Sequence, residues 1–205
     1  MKLKGRTSYW SARLPAVAAA ALAAVYCVGA AAARGGTVVR QTSRATCGPA
    51  ALATLFTFYF NDPVTEEEAV RLAGADRKTM TNLRQLGEAC RAKGYGAEGR
   101  RWNLARLARE ADAGGVPVLV HLKRPTEHFV LVVGRAGEFF LVADPERGDM
   151  SIHQTDLVRR WDGNVLVVRS ARPVNAALIE SKRRAAEARL RTLGAAGSLM
   201  SAARF

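Results

Sequence analysis

The chain has 205 residues, of which 49% are hydrophobic and 24% are charged, so it can form one folded globular domain with extensions. Its 31 lysines and arginines outnumber the 18 acidic residues and give a net charge of +13, but no aromatic-interleaved basic motif accompanies them, so nucleic-acid binding is not expected. The three cysteines form no CxxC pair and no metal-type spacing with histidine, so neither a metal nor an organic cofactor is expected.

The N-terminal 33 residues predict export. Residues 1–13 carry four positive charges and no negative ones, and residues 14–33 form an uncharged, alanine-rich run. Small residues before Arg34 suit a signal peptidase, although a run of this length could also stay as a membrane anchor or, as a third alternative, be a buried helix. Either export route places residues 34–205 in the periplasm or at the outer face of the inner membrane, with membrane contact through the N-terminal segment.

The next part of the sequence predicts four helices. A short β-prone run at residues 37–40 comes before them. Capping residues, apolar faces and terminal glycines indicate where each helix begins and ends. The predicted helices cover residues 47–60, 66–73 (after a capping box of Thr65 and Glu68), 82–93 (capped by Thr81) and 103 to about 113.

After Gly115 the periodicity changes to β-branched and aromatic runs separated by turn residues. A short connection at residues 135–137 predicts a hairpin between two of these runs. A short helix follows Thr155, and a basic, alanine-rich helix covers residues 174–193. Helices followed by antiparallel strands indicate an α+β fold. The predicted strands are residues 116–123, 128–134, 138–144, 150–153 and 164–169.

Cys47 is the candidate nucleophile. It begins a predicted helix, where the positive end of the helix dipole favours the thiolate over the thiol. Gly48 would permit close approach of a substrate, and Pro49 suits the first helical turn, where no N–H is needed. A cysteine nucleophile also requires a base, and that base requires an orienting group.

His128 is the candidate base, because it opens a strand from which its side chain can project into a cleft. Asp144 ends the other strand of the predicted hairpin, so its carboxylate should lie near the imidazole and orient it. Gln41, six residues before Cys47, could donate its side-chain amide to the oxyanion beside the Cys47 backbone N–H.

These motifs resemble those of the C39 peptidases, the leader-cleaving domains of bacteriocin-exporting ABC transporters. The resemblance covers about residues 38–169 and rests on Gln-x5-Cys-Gly, His-Phe-Val-x-Val-x-Gly and Asp-Pro in this order. It implies a papain-like fold in which Cys47 is the nucleophile, His128 the base, Asp144 the orienting residue and Gln41 the oxyanion residue. The chain departs from the transporter-fused members, because it has no P-loop and is expected outside the cytoplasm.

We therefore predict a signal peptide or anchor at residues 1–33, a C39-like cysteine peptidase domain at 34–172, and a basic helix and tail at 173–205. The family implies that the substrate is an exported peptide or protein, with leader processing in a secretion or surface-assembly system as one role. Two alternatives use the same residues: a non-catalytic peptide-binding module of a secretion system, and an acyltransferase or transglutaminase-like enzyme. The charged side chains of the basic helix are expected to form a solvated face. Docking of this helix to a membrane or a partner is the alternative.

The remaining polar candidates have simpler interpretations. Cys90, on the apolar side of a predicted helix, is expected to be a small buried hydrophobe. Gly35 and Gly36 suit a flexible linker, with self-cleavage as the alternative. His121 is expected to be exposed or structural, His153 to be structural, and Trp102 and Trp161 to lie in the core or the wall of the cleft.

Overall fold

The computed structural model describes residues 36–202, with side chains up to residue 192. The predicted signal or anchor at residues 1–33 lies outside the described residues, as do Cys27 and Gly35. The fold class is confirmed: helices pack on an antiparallel sheet in an α+β arrangement. Between residues 36 and 202, no helix combines the length and the apolar character that crossing a bilayer requires.

The helices follow the predicted order, with two corrections: the third helix has a different cap, and the short helix predicted after Thr155 begins earlier, at Gln154, with His153 as its cap. Asn82, not Thr81, caps the third helix, because its Oδ1 accepts from the Gln85 N–H at 3.0 Å and the Gln85 side chain accepts in return from the Asn82 N–H. Thr81 is buried instead. The described helices are α1 Cys47–Thr54, continued by a π-helical segment at Leu55–Tyr59, α2 Glu66–Leu72, α3 Leu83–Ala92, α4 Leu104–Asp112, α5 Gln154–Arg160 and α6 Ala176–Ala202.

A six-stranded antiparallel sheet forms the centre of the fold, in the order β1-β6-β2-β3-β4-β5. The predicted hairpin is present as β3 and β4, which pair from Leu131 opposite Ala143 to Ala136 opposite Phe139. The strands are β1 Gly96–Arg101, β2 Val118–Leu122, β3 His128–Ala136, β4 Phe139–Asp144, β5 Gly148–His153 and β6 Trp161–Arg169.

Strand formation differs from prediction at two places. Strand β1 was not predicted, because its sequence GAEGRR has two glycines and three charged residues; it forms through backbone pairing with β6 alone. The β-prone run at residues 37–40 forms no strand. Its Val39 N–H donates to the Thr54 side chain of α1 at 2.9 Å, so the segment lies along a helix instead of joining the sheet.

Helices cover both faces of the sheet. Side chains of β3 alternate between the two faces: Phe129 and Leu131 pack with α1, α2, α3 and α6, whereas Val130 and Val132 pack with α4 and α5. Up to residue 192, the basic helix α6 buries Ile179 and part of its inner face against the first group, while the opposite face is solvated. The central hairpin is therefore held from both sides.

Cys90 is buried on α3, as predicted, and forms no disulfide with Cys47. Burial raises the pKa of the Cys90 thiol to about 12, so the thiolate is not formed near neutral pH. Cys90 is therefore an inert packed residue in the folded protein.

Gly48 is required by packing, and its role in substrate approach stays a prediction. A Cβ at this position would lie 2.6 Å from Thr81 Oγ1 and 2.9 Å from Leu86 Cδ1, and Leu86 is fully buried. The absent side chain lets the segment before α3 pack directly on the first turn of α1.

We expect Gly48→Ala to lower the free energy of unfolding by about 1–3 kcal/mol, because the added methyl group overpacks the core. Urea denaturation measures this loss. The control is Gly99→Ala, where the added Cβ meets no heavy atom within 4 Å and the change should stay within about 0.5 kcal/mol. Equal losses in the two variants would contradict this packing role.

Candidate active site

Cys47 is the first residue of α1, directly after a 3-10 turn at Arg44–Thr46. Ser43 caps this turn by accepting from the Ala45 N–H at 3.1 Å, and Thr46 Oγ1 accepts from the Ser43 N–H at 3.2 Å. The turn thus fixes the direction in which the chain enters α1. It places Cys47 at the positive end of the helix dipole.

His128 and Asp144 lie at the same end of the β3–β4 hairpin, as the predicted hairpin requires. The His128 Nε2 and Asp144 Oδ1 atoms are 2.8 Å apart. Both side chains are buried, so their hydrogen bond is shielded from water. Asp144 Oδ1 also accepts from the Glu146 N–H at 2.8 Å and the Arg147 N–H at 3.3 Å, which fixes the carboxylate in the turn after β4.

The environment favours the charged forms of both residues. Burial alone would lower the pKa of His128, but hydrogen bonds with Asp144 and Cys47 outweigh it and raise this pKa to about 9. Burial alone would raise the pKa of Asp144, but its hydrogen bonds with His128 and the backbone bring it below its usual value. Near neutral pH the pair is therefore an imidazolium and a carboxylate.

The contact with Asp144 also assigns the two ring nitrogens of His128. Nε2 is directed at the carboxylate, which leaves Nδ1 as the nitrogen available to Cys47. Cys47 is among the groups that raise the pKa of His128. The arrangement can therefore hold an imidazolium–thiolate pair and return a proton from Nδ1 to a leaving group.

Gln41 lies at the cleft with His128 and Asp144. Its Nε2 donates to the Ser43 carbonyl at 3.0 Å, and its backbone N–H donates to the Pro145 carbonyl at 3.0 Å. Because an amide nitrogen carries two hydrogens, one N–H of Nε2 remains for a further acceptor. The Oε1 atom is buried and has no hydrogen-bond partner among the described residues.

The cleft beside these residues has a volume of about 380 Å³ and carries charges of both signs. Cys47 is fully buried and is not one of the residues that line this cleft. The charged residues of the wall, besides the catalytic candidates, are Arg44, Glu127, Glu146, Arg147 and Arg160.

The other two histidines lie elsewhere, as expected for structural residues. His121 Nδ1 is 3.2 Å from Asp162 Oδ2, and neither residue lines the cleft. His153 caps α5, because its Nδ1 accepts from the Thr155 N–H at 3.3 Å. Within residues 36–192, no group of three or more histidine, cysteine or acidic side chains is arranged to hold a metal ion.

Glu66 is a residue of this region whose position sequence reasoning missed. It belongs to a run of three glutamates that reads as the acidic first turn of a helix. In the structure Glu66 is buried and its Oε1 accepts from the Thr42 N–H at 2.8 Å, whereas Glu67 is exposed. Nothing in the sequence separates the three, because burial of one of them depends on where the segment before Cys47 packs.

Residues 36–172 match the peptidase C39 family. The chain is 34% identical over 131 residues to an uncharacterised protein of Methanothermobacter marburgensis, an alignment that covers 64% of this chain and 87% of that protein. It is 28% identical over 143 residues to FapD of Pseudomonas aeruginosa, a probable functional amyloid protease, with 64% of this chain and 59% of FapD covered.

Two solved structures have a similar fold. One is a double glycine motif protease from an AMS/PCAT transporter in complex with its leader peptide, with a TM-score of 0.58, 27% identity, and coverage of 67% of this chain and 96% of that one. The other is the peptidase domain of Streptococcus ComA, with a TM-score of 0.58, 18% identity, and coverage of 64% and 96%. The second likeness concerns the fold alone.

Proposed function

Because this chain belongs to the peptidase C39 family, we propose that it is a cysteine endopeptidase with Cys47 as its nucleophile. The observation that carries the proposal is the 2.8 Å contact between His128 Nε2 and Asp144 Oδ1, at the end of the hairpin that also presents the imidazole to Cys47. A buried, charged histidine beside a cysteine at a helix N-terminus is the arrangement that activates a thiol.

In the proposed reaction the Cys47 thiolate attacks the carbonyl carbon of the peptide bond. The oxyanion that forms accepts hydrogen bonds from the Cys47 backbone N–H and the Gln41 side-chain amide. His128 Nδ1 then donates its proton to the leaving amine, the C–N bond breaks, and a thioester remains on Cys47. Water attacks the thioester, His128 accepts one proton of that water, and the C–S bond breaks to release the Cys47 thiolate and the new carboxylic acid.

The proposed substrate is a peptide leader or an exported protein that a secretion or surface-assembly system handles. Two similarities support it: one relative is a probable functional amyloid protease, and one solved relative binds a leader peptide. The signal-like sequence of residues 1–33 supports a location outside the cytoplasm, in the periplasm or at the outer face of the inner membrane. Contact with a membrane would then occur through that segment.

A peptide-binding module without catalysis is the second candidate. The observation that favours it is the complete burial of Cys47, which does not line the cleft. In such a module the cleft would hold a peptide beside His128 and Asp144, and the covered sulfur would never react.

Iodoacetamide labelling across pH separates the two candidates, with mass spectrometry to distinguish Cys47 from Cys90. We expect Cys47 in the folded protein to react at about pH 6, where an ordinary thiol is almost fully protonated and reacts slowly. His128→Ala should abolish this reactivity, because it removes the partner of the thiolate. Cys90, buried and with its pKa raised to about 12, is the internal control and should stay unlabelled.

If Cys47 stays as unreactive as Cys90 until the protein unfolds, the peptidase proposal fails and the binding module replaces it. Labelling at low pH that persists in His128→Ala would show a reactive thiol without the proposed ion pair.

A further inference from the structure

The segment that carries Gln41 belongs to no helix or strand, so its position depends on side chains from elsewhere in the fold. On one side of Gln41, its own N–H donates to the Pro145 carbonyl at 3.0 Å. On the other side, the N–H of the next residue, Thr42, donates to Glu66 Oε1 at 2.8 Å. The backbone of Gln41 is therefore held between the turn after β4 and the first turn of α2.

Glu66 is unusual for an acidic residue because it is only 5% exposed. Its neighbour Glu67 pairs with Arg77, and Glu68 lies 3.7 Å from Lys93, whereas Glu66 forms no ion pair among the described side chains. A carboxylate is costly to bury without compensating hydrogen bonds. The bond from the Thr42 N–H supplies one such compensation, and it ties Glu66 to the active-site segment.

Arg77 also contacts the segment that follows Gln41. Its Nη1 donates to Thr42 Oγ1 at 3.1 Å, and its carbonyl accepts from the Ser43 hydroxyl at 2.9 Å. Arg77 itself has a φ of +63°, a left-handed conformation that is unfavourable for a residue with a side chain. Strained backbone of this kind persists only where the surrounding contacts fix it.

We propose that Glu66 is a positioning residue, which holds the Gln41 amide in place for the oxyanion by fixing the Thr42 N–H. This inference rests on the proposed function. An oxyanion donor must lie about 2.7–3.1 Å from the oxyanion, and loss of one such donor typically lowers kcat about 10²- to 10³-fold. Displacing the backbone next to Gln41 should therefore lower kcat and leave substrate binding largely intact.

Two variants of Glu66 separate the effect of side-chain length from the effect of charge. Glu66→Gln keeps an oxygen acceptor at the same distance without the charge, and Glu66→Asp keeps the charge but withdraws it by one methylene. The probe is a fluorogenic peptidyl-Gly-Gly-aminomethylcoumarin. We expect Glu66→Asp to lower kcat about 10- to 100-fold, a fraction of a full donor loss, with KM changed less than about threefold. Glu66→Gln should stay within about threefold of the wild type in kcat.

Glu68→Asp is the matched control, since Glu68 lies in the same helical turn and makes no bond to the Gln41 segment; its kcat should not change. A double-mutant cycle with Gln41→Ala tests the mechanism: Glu66→Asp should have no further effect on kcat once Gln41 is absent. The rate at which iodoacetamide labels Cys47 should also be the same in Glu66→Asp and the wild type, because that rate depends on the pairing with His128.

The proposal is overturned if Glu66→Asp retains full kcat, if its loss of kcat persists in the Gln41→Ala background, or if Cys47 labelling falls with it. If the wild type cleaves no peptide, the proposed function fails, and amide hydrogen exchange still decides the role of Glu66. Faster exchange of the peptide containing Thr42 in Glu66→Asp than in Glu68→Asp supports the restraint, and equal exchange refutes it.

Discussion

Replacing Cys47 by alanine is expected to lower kcat for the hydrolysis of peptidyl-Gly-Gly-aminomethylcoumarin on the order of 10⁶-fold, to the residual rate that binding and the oxyanion donors alone support. Alanine removes the sulfur that forms the proposed thioester, while the helix, the hairpin and the cleft remain. Because Cys47 packs at the start of α1, the folded state of the variant is checked by circular dichroism before the rates are compared.

The matched control is Cys90→Ala, which removes the other buried thiol of the described chain. It leaves a small cavity under α3 and lies outside the proposed chemistry, so kcat should be retained even if the protein is about 1 kcal/mol less stable. Comparable loss of activity in the two variants would assign the effect of Cys47→Ala to packing and not to a missing nucleophile.

Asp144→Asn is expected to lower kcat on the order of 10⁴-fold, the loss seen when the orienting carboxylate of a catalytic triad is neutralised. The amide has nearly the same shape, but it no longer carries the negative charge that stabilises the His128 imidazolium. Initial rates measured across pH with the same fluorogenic peptide report both this loss and the titration of His128.

The pH profile should shift in a defined direction. In the wild type, the reactive pair requires protonated His128, so activity should fall as the pH rises through about 9, the raised pKa of this histidine. In Asp144→Asn the main group that raises this pKa is lost while the burial that lowers it remains. The alkaline limb should therefore move to lower pH.

Asp162→Asn is the control for this shift, because Asp162 also lies beside a histidine, 3.2 Å from His121, but outside the cleft. Its substitution should leave the alkaline limb in place and change kcat only a few-fold. An unmoved limb in Asp144→Asn would show that a group other than the His128–Asp144 pair controls the profile.

The parts of the fold that could be predicted are those specified by residues close together in the sequence. Gly74 and Gly94 end α2 and α3 with positive φ, as their positions after the apolar faces indicated. The β3–β4 hairpin followed from two hydrophobic runs and a short turn. Strand β1 could not be predicted, because a charged, glycine-containing segment becomes a strand only when β6 supplies a complete row of backbone partners.

In the candidate site, too, some features could be predicted from the sequence and others could not. The approach of His128 to Asp144 was predictable, since a hairpin turn fixes which residues lie opposite each other. The burial of Glu66 and the close packing of Gly48 on Leu86 were not, because each depends on how α2 or α3 docks on α1 across a long stretch of chain. The covered sulfur of Cys47 likewise reflects packing, which spacing in the sequence does not report.

The turn between β4 and β5 is a surface turn whose length is constrained by the contacts that it makes. Turns on the surface usually accept insertions and deletions between related proteins. This one carries Asp144, the two N–H groups that hold its carboxylate, and the Pro145 carbonyl that receives the Gln41 N–H. One inserted residue would shift both the His128–Asp144 pair and the segment of Gln41, so relatives that keep this arrangement should keep the length of this turn.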